Sequence, residues 1–96
     1  MAFYILNYYG SGTPLLPEQV DANRQAWRDW NGRLKETYGI KTSRGLVVTG
    51  ESVTEYQGDF KGASIIEAES LEQAADIAKL SPAVAYGGRV EVLQEF

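Results

Sequence analysis

A strand, a helix start and a helix stop follow one another within residues 63–82, "ASIIEAESLEQAADIAKLSP". The branched apolar residues at 63–69 predict a strand. Ser70 followed by Gln73 fits a capping box, in which the hydroxyl accepts a hydrogen bond from an early backbone amide of the helix. Pro82 cannot continue a helix, because it has no amide hydrogen and its ring clashes with the preceding turn. A strand that passes directly into a short capped helix favours a fold in which helices pack on a sheet.

Residues 3–9, "FYILNYY", predict a first strand bounded by Gly10. Neither of its faces is polar, and such a strand is usually covered on both sides. Alternation places two sets of side chains on opposite faces, namely Phe3, Ile5, Asn7 and Tyr9 on one and Tyr4, Leu6 and Tyr8 on the other.

A helix is predicted to begin at Pro17, because proline suits the first helical turn. Its stripe recurs at spacings of three and four and consists of Val20, Asn23, Trp27, Trp30, Leu34 and Tyr38. Asn31 and Gly32 interrupt this pattern, so we expect the helix to reach residue 30 and either to kink there, to end there or to continue to Tyr38.

The remaining segments complete an order of strand, helix, strand, strand, helix and strand. Residues 39–45 are expected to be a polar connection, residues 46–53 a second strand joined by a hairpin to residues 63–69, and residues 89–96 a last strand. This order predicts an α+β, ferredoxin-like βαββαβ domain over residues 1–96, with a four-stranded antiparallel sheet and both helices on one face.

The composition argues against several classes of function. The chain has 96 residues and a net charge of -4, which argues against nucleic acid as a partner. Without cysteine or histidine, neither a disulfide framework nor a zinc site is expected. No apolar run suits a secretory signal or a membrane span, so a cytoplasmic protein without membrane association is expected. Residues 24–44 are rich in basic side chains and residues 51–76 in acidic ones, which indicates either solvated faces or complementary patches for self-association.

Two asparagines stand in otherwise apolar patterns and need hydrogen-bonding partners if they are buried. One interpretation is structural, with each amide bonded to backbone or water and the tryptophans in the core. The other is that Asn7, Tyr9, Asn23 and Trp27 line one small ligand pocket between helix and sheet. Any catalytic base must be Glu, Asp, Tyr or Lys, since histidine is absent, and Tyr9 and Glu51 are the candidates.

Several segments resemble the YCII-related family. They are "FYILNYYG" with "LPEQV" and the spaced tryptophans after it, then "LVVTGES", "SIIEAESLEQAADIAKLSP" and "GGRVEVLQEF". The resemblance covers nearly the whole chain, and it implies a ferredoxin-like domain that pairs into a dimeric α+β barrel. One type of relative is a dehydrochlorinase acting on a chlorinated hydroxyquinone.

The resemblance also marks two departures. The family histidine of the YciI-like branch would fall near Trp27, and its catalytic role does not carry over to this chain. The Asp-Gly-Pro-Phe motif of a second branch is reduced to "GDF" at residues 58–60.

The expected function is therefore a homodimeric domain that binds a small molecule without metal or cofactor and lacks the family's catalytic histidine. The alternatives are a cofactor-independent lyase or isomerase on a small aromatic or carbonyl substrate, and a structural or regulatory subunit. Because the first strand is apolar on both faces, we expect a second copy to cover the tyrosine and leucine side chains that the helices cannot reach.

Overall fold

A computed structural model describes residues 1–95. Its elements are β1 (Ala2–Tyr9), α1 (Pro17–Arg33), β2 (Glu36–Lys41), β3 (Leu46–Val48), β4 (Val53–Glu55), β5 (Phe60–Ala68), α2 (Leu71–Ala78), α3 (Pro82–Ala85) and β6 (Arg89–Gln94).

Four strands form one antiparallel sheet in the order β2-β5-β1-β6. The expected pairing of the first and last strands is confirmed, with Tyr4 opposite Gln94 and Tyr9 opposite Arg89. The α+β class and the four-stranded antiparallel sheet are likewise confirmed. The predicted end of the last strand at Phe96 lies outside the described residues.

The second strand of the sheet is not the segment that the sequence indicated. Helix α1 passes through Asn31 and Gly32 and ends at Arg33, and the chain is already extended at Leu34. Residues 36–41, expected to be helix end and polar connection, instead form β2 and pair with β5. The expectation of helix up to Tyr38 is wrong because Thr37, Tyr38 and Ile40 suit a strand better than a helix.

Residues 46–53 do not join the main sheet. They contribute β3 and the start of β4, which pair only with each other as a small separate hairpin. The predicted hairpin between residues 46–53 and 63–69 is therefore wrong, since β2 takes the place beside β5. The hairpin of β3 and β4 is an insertion between these two paired strands.

Both longer helices pack on the same side of the sheet, which we call the helix-facing side. Its core contains side chains from the sheet and from all three helices, namely Tyr4, Leu6, Tyr8, Trp30, Ile66, Ala68, Ala74, Ala78 and Ala83. Within the described chain, no helix is both long and apolar enough to cross a membrane.

The cap of α2 is confirmed. The Ser70 hydroxyl accepts a hydrogen bond from the Gln73 amide at 3.0 Å. The Gln73 side chain reaches back one residue further than a capping box requires and accepts from the Glu69 amide. Helix α2 ends at Ala78, before Pro82 as expected, and Pro82 begins the short helix α3.

The opposite side of the sheet, which we call the open face, is covered by no element of the described chain. The exposed or half-buried side chains on it include Phe3, Ile5, Tyr38, Ile40, Ile65 and Leu93. The expectation that Tyr4, Leu6 and Tyr8 need a second copy is wrong, because these residues face the helices and are buried. The sequence analysis divided the side chains of β1 into the correct two sets, but the set that was expected to face the helices lies on the open face.

Candidate ligand-binding groove

A groove of about 810 Å³ lies between α1 and the helix-facing side of β1, β5 and β2. The loop that joins β1 to α1 borders it, since Gly10, Ser11 and Thr13 line it. Its volume is within the range of about 300–1,000 Å³ that is common for small-molecule sites. Further lining side chains come from five elements and include Tyr8, Asn23, Trp27, Glu36, Ser64 and Ala83.

The floor of the groove carries a directed chain of hydrogen bonds. Trp30 Nε1 donates to Tyr8 Oη at 3.1 Å, and Tyr8 Oη donates to Ser64 Oγ at 2.8 Å. Burial raises the pKa of Tyr8 above its ordinary value, although the two hydrogen bonds act in the opposite direction. Tyr8 therefore stays protonated at neutral pH and acts as a donor to Ser64.

Glu36 brings a carboxylate to the same floor. The register between β2 and β5 shifts between Glu36 and Tyr38, so that Glu36 opposite Ile66 points to the helix-facing side while Tyr38 opposite Ile65 lies on the open face. Such bulges commonly redirect a side chain beside a functional site. Glu36 Oε2 is buried and has no hydrogen-bonding partner within residues 1–95.

The wall of the groove is aromatic, and several cations line it. Trp27 meets Tyr8 edge to face, with 5.0 Å between the ring centroids. The cations are Arg24, Arg28, Lys41 and Lys61, whereas Glu36 is the one acidic residue that residues 1–95 contribute to the lining. Within residues 1–95 no three acidic side chains are grouped in a way that could hold a metal ion. The groove therefore offers a flat apolar surface, a polar floor and positively charged side chains in its lining.

The structure brings together some of the residues predicted to form the pocket and separates others. Asn23 and Trp27 line the groove, as does the end of β1 at Tyr9. Asn7 does not, because it lies opposite Ala63 and Glu91 on the open face. The predicted set of Asn7 with Asn23 and Trp27 in one pocket is corrected on this point, since Asn7 and its neighbour Tyr8 project to opposite sides of β1.

The two predicted catalytic candidates occupy other surroundings. The Tyr9 ring packs against Phe60 and beneath the guanidinium of Arg89, whose Cζ lies 4.1 Å from the ring centroid. The nearby Glu91 carboxylate is the main cause that raises the pKa of Tyr9, so the phenolate form that a base requires is less populated at neutral pH. Glu51 lies exposed in the turn between β3 and β4 and is not part of the groove lining.

Sequence reasoning missed Tyr8, Ser64 and Glu36 as groove residues. Ser64 is the polar residue in the buried row of β5, and a buried hydroxyl needs a partner. That signal was available in "ASIIEA". No sequence signal indicated Glu36, because its position depends on a bulge in β2. The helical pattern of α1 had predicted that part of this strand would be helix.

The family model of the YCII-related domain matches residues 1–95. No curated protein matches the sequence. Among solved structures, the chain is similar to 5-chloro-2-hydroxyhydroquinone dehydrochlorinase (TftG) from Burkholderia phenoliruptrix AC1100, in complex with 2,5-dihydroxybenzoquinone. The TM-score is 0.63 at 21% identity, with 100% of this chain and 94% of that chain covered, so this likeness concerns the fold. On the match over residues 1–95, the chain belongs to the family of YCII-related domains.

Proposed function

We propose that this domain binds a small, flat, hydroxylated ring in the groove beneath α1. The observation that carries the proposal is the polar cluster of Tyr8, Ser64 and Glu36 on the floor of a groove with an aromatic wall. Small-molecule sites typically combine an apolar surface with a few polar groups that fix the orientation of the ligand.

The surroundings of the groove indicate the ligand class. Trp27 and Tyr8 offer ring surfaces against which a flat molecule packs. Four cations in the lining would stabilise an acidic or ionised hydroxyl at the outer end of such a ring. The similar structure TftG was solved with 2,5-dihydroxybenzoquinone, a molecule of this class. An interaction subunit with no ligand is less well supported, because such a role does not require a groove.

The proposal includes a homodimeric, ferredoxin-like domain of the dimeric α+β barrel type. Its support is the open face, where apolar side chains such as Ile5, Tyr38 and Leu93 form a surface on the sheet. A second copy related by a two-fold axis would bury the same patch on both subunits. The expected cytoplasmic location belongs to this proposal as well.

A second candidate function is a cofactor-independent lyase that removes hydrogen chloride from a chlorinated hydroxylated ring. The unpartnered oxygen of Glu36 favours it, because a carboxylate on the groove floor can take a hydroxyl proton and return it to the ring carbon that carries chlorine. The C–Cl bond then breaks as a second hydroxyl loses its proton to water, so that the products are a quinone, chloride and a proton. The dehydrochlorinase activity named for the similar structure is of this kind. In this candidate Glu36 replaces the base that Tyr9 and Glu51 were expected to provide.

Asn23 tests the binding proposal. Hydroxyhydroquinone, kept reduced under argon at pH 6.5, should bind the wild-type protein in isothermal titration calorimetry. Asn23→Leu should weaken this binding by about tenfold or more, because it replaces a polar lining group with a branched apolar one. Light scattering should give the same mass for the variant and the wild-type protein.

The matched control is Asn7→Leu, the same substitution on the open face of the sheet. It should leave the dissociation constant unchanged. No heat of binding with the wild-type protein, or equal binding by Asn23→Leu, would contradict the proposal.

A further inference from the structure

The groove carries positive charge in a protein whose net charge is negative. The chain has 13 acidic and 9 basic side chains, which give the net charge of -4. Four of the basic side chains line the groove, whereas Glu36 is the one acidic side chain that residues 1–95 contribute to the lining. A cleft lined by charges of one sign raises the local concentration of ligands of the opposite sign.

Most of the cations in the lining are not neutralised by a neighbouring acid. Arg24 is paired with Asp21, one turn earlier on α1, at 3.2 Å. The ion pairs formed within residues 1–95 do not include Arg28, Lys41 or Lys61. These three charges repel one another, and an anion bound in the groove would offset that repulsion.

The acid and the two lysines occupy different positions along the groove floor. The Glu36 carboxylate lies over Gly39, since a Cβ atom built there would come within 2.6 Å of both carboxylate oxygens. Lys41 follows two residues further along β2, a distance of about 7 Å at the rise of a strand.

Lys61 lies at the same end of the sheet as Lys41, because its carbonyl accepts a hydrogen bond from the amide of Thr42. Its side chain packs against Gly10 in the loop that borders the groove, where an added Cβ atom would lie 3.0 Å from Lys61 Cε. The floor therefore has an acidic position beneath α1 and a basic position at the end beside this loop.

We infer that the groove takes a hydroxylated aromatic acid, with its ring hydroxyl toward Glu36 and its carboxylate toward Lys41 and Lys61. A carboxylate has two oxygens that together accept several hydrogen bonds, so one such group can meet more than one unpaired cation. The reverse orientation would place the charge of the ligand beside Glu36, which repels it. This inference rests on the proposed function and adds a fixed negative charge to the ligand.

Two ring compounds that differ in one group test the charge. They are 4-hydroxybenzoate, which is an anion at pH 7, and 4-hydroxybenzyl alcohol, in which an uncharged hydroxymethyl group replaces the carboxylate. Isothermal titration calorimetry of the wild-type protein at low ionic strength should give a dissociation constant about tenfold lower for the acid. Sodium chloride at about 0.5 M should reduce this ratio, because it shortens the range over which charges interact.

Variants assign the preference to the two lysines. Lys41→Gln and Lys61→Gln should each reduce the ratio by about threefold, and the double variant should bring the two constants to within about twofold of each other. The constant for the uncharged alcohol should change little. Lys79→Gln removes the same charge at the end of α2, outside the groove lining, and is the control that should keep the tenfold ratio.

The outcomes separate the inference from the proposed function. Equal binding of the acid and the alcohol by the wild-type protein, or a preference that persists in the double variant, would overturn the inference and leave ring binding intact. Binding of neither compound, with no binding of hydroxyhydroquinone, would contradict the proposed function and the inference together. Hydroxyhydroquinone binding without binding of 4-hydroxybenzoate would contradict the inference alone. Circular dichroism of each variant shows that it is folded before it is titrated.

Discussion

Tyr8 lies where the core and the groove meet, and its side chain belongs to both. Its ring is buried among the helix-facing residues, while its hydroxyl links Trp30 to Ser64. These hydrogen bonds satisfy buried polar atoms, and Ser64 at their end lines the groove. At this position one side chain contributes to stability and, in the proposed function, to recognition of the ligand.

Tyr8→Phe should lower the free energy of unfolding by about 1–3 kcal/mol at pH 7, because Trp30 Nε1 loses its buried acceptor. The pKa of Tyr8 is raised in the folded state, so the unfolded chain releases this proton first as the pH rises above about 10. The difference between wild type and variant should therefore shrink above pH 10. Urea unfolding at pH 7, 9 and 10.5 measures it, and a difference that stays constant would contradict the buried hydroxyl.

The residues of the candidate site were only partly predictable. Asn23 and Trp27 were identified, since a helical stripe fixes which side chains share a face. Asn7 was assigned to the wrong side, because a strand that is apolar on both faces does not indicate which face meets the helices. Glu36 could not be assigned from alternation at all, since the bulge beside it reverses the ordinary pattern.

At the scale of elements, the local sequence predicted where helices begin and end better than it predicted which strands pair. The cap at Ser70, the stop at Pro82 and the start of α1 at Pro17 agree with the structure. The identity of the second sheet strand does not, because both residues 36–41 and residues 46–53 have strand character. Long-range pairing with β5 decides between them, and local strand propensity does not indicate which segment pairs.

Ser70→Ala should lower the free energy of unfolding by on the order of 1 kcal/mol, the usual loss for an N-cap hydroxyl. The matched control is Ser43→Ala in the exposed segment between β2 and β3, which should change stability by less than about 0.5 kcal/mol. Denaturant unfolding compares the two midpoints. Equal midpoints would mean that the Ser70 hydroxyl does not stabilise α2.

At the scale of the whole molecule, the sheet has one covered and one uncovered side. Helices α1 and α2 cover the helix-facing side. On the open face, the exposed fractions are 36% for Phe3, 60% for Tyr38 and 48% for Leu93. Burial of apolar area stabilises by roughly 25 cal/mol per Å², so pairing of two open faces would add to the stability of a chain of this length.

Leu93→Glu should convert the proposed dimer to a monomer, because it places two like charges in the apolar contact. The matched control is Leu80→Glu, which changes a leucine of even greater exposure beyond the end of α2. Light scattering at micromolar concentration should give half the wild-type mass for Leu93→Glu and the full mass for Leu80→Glu. A monomeric wild-type protein would contradict the assembly.

The position of a bound ring shows whether the groove beneath α1 is the binding site. Titration of isotope-labelled protein with hydroxyhydroquinone, followed in amide correlation spectra, reports which residues change their surroundings. We expect saturable shifts for the indole N–H of Trp27 and for the amides of Gly39 and Ser64, while the amide signals of Phe3 and Leu93 stay unchanged. Shifts confined to the open face, or no saturable shift at all, would contradict binding in the groove.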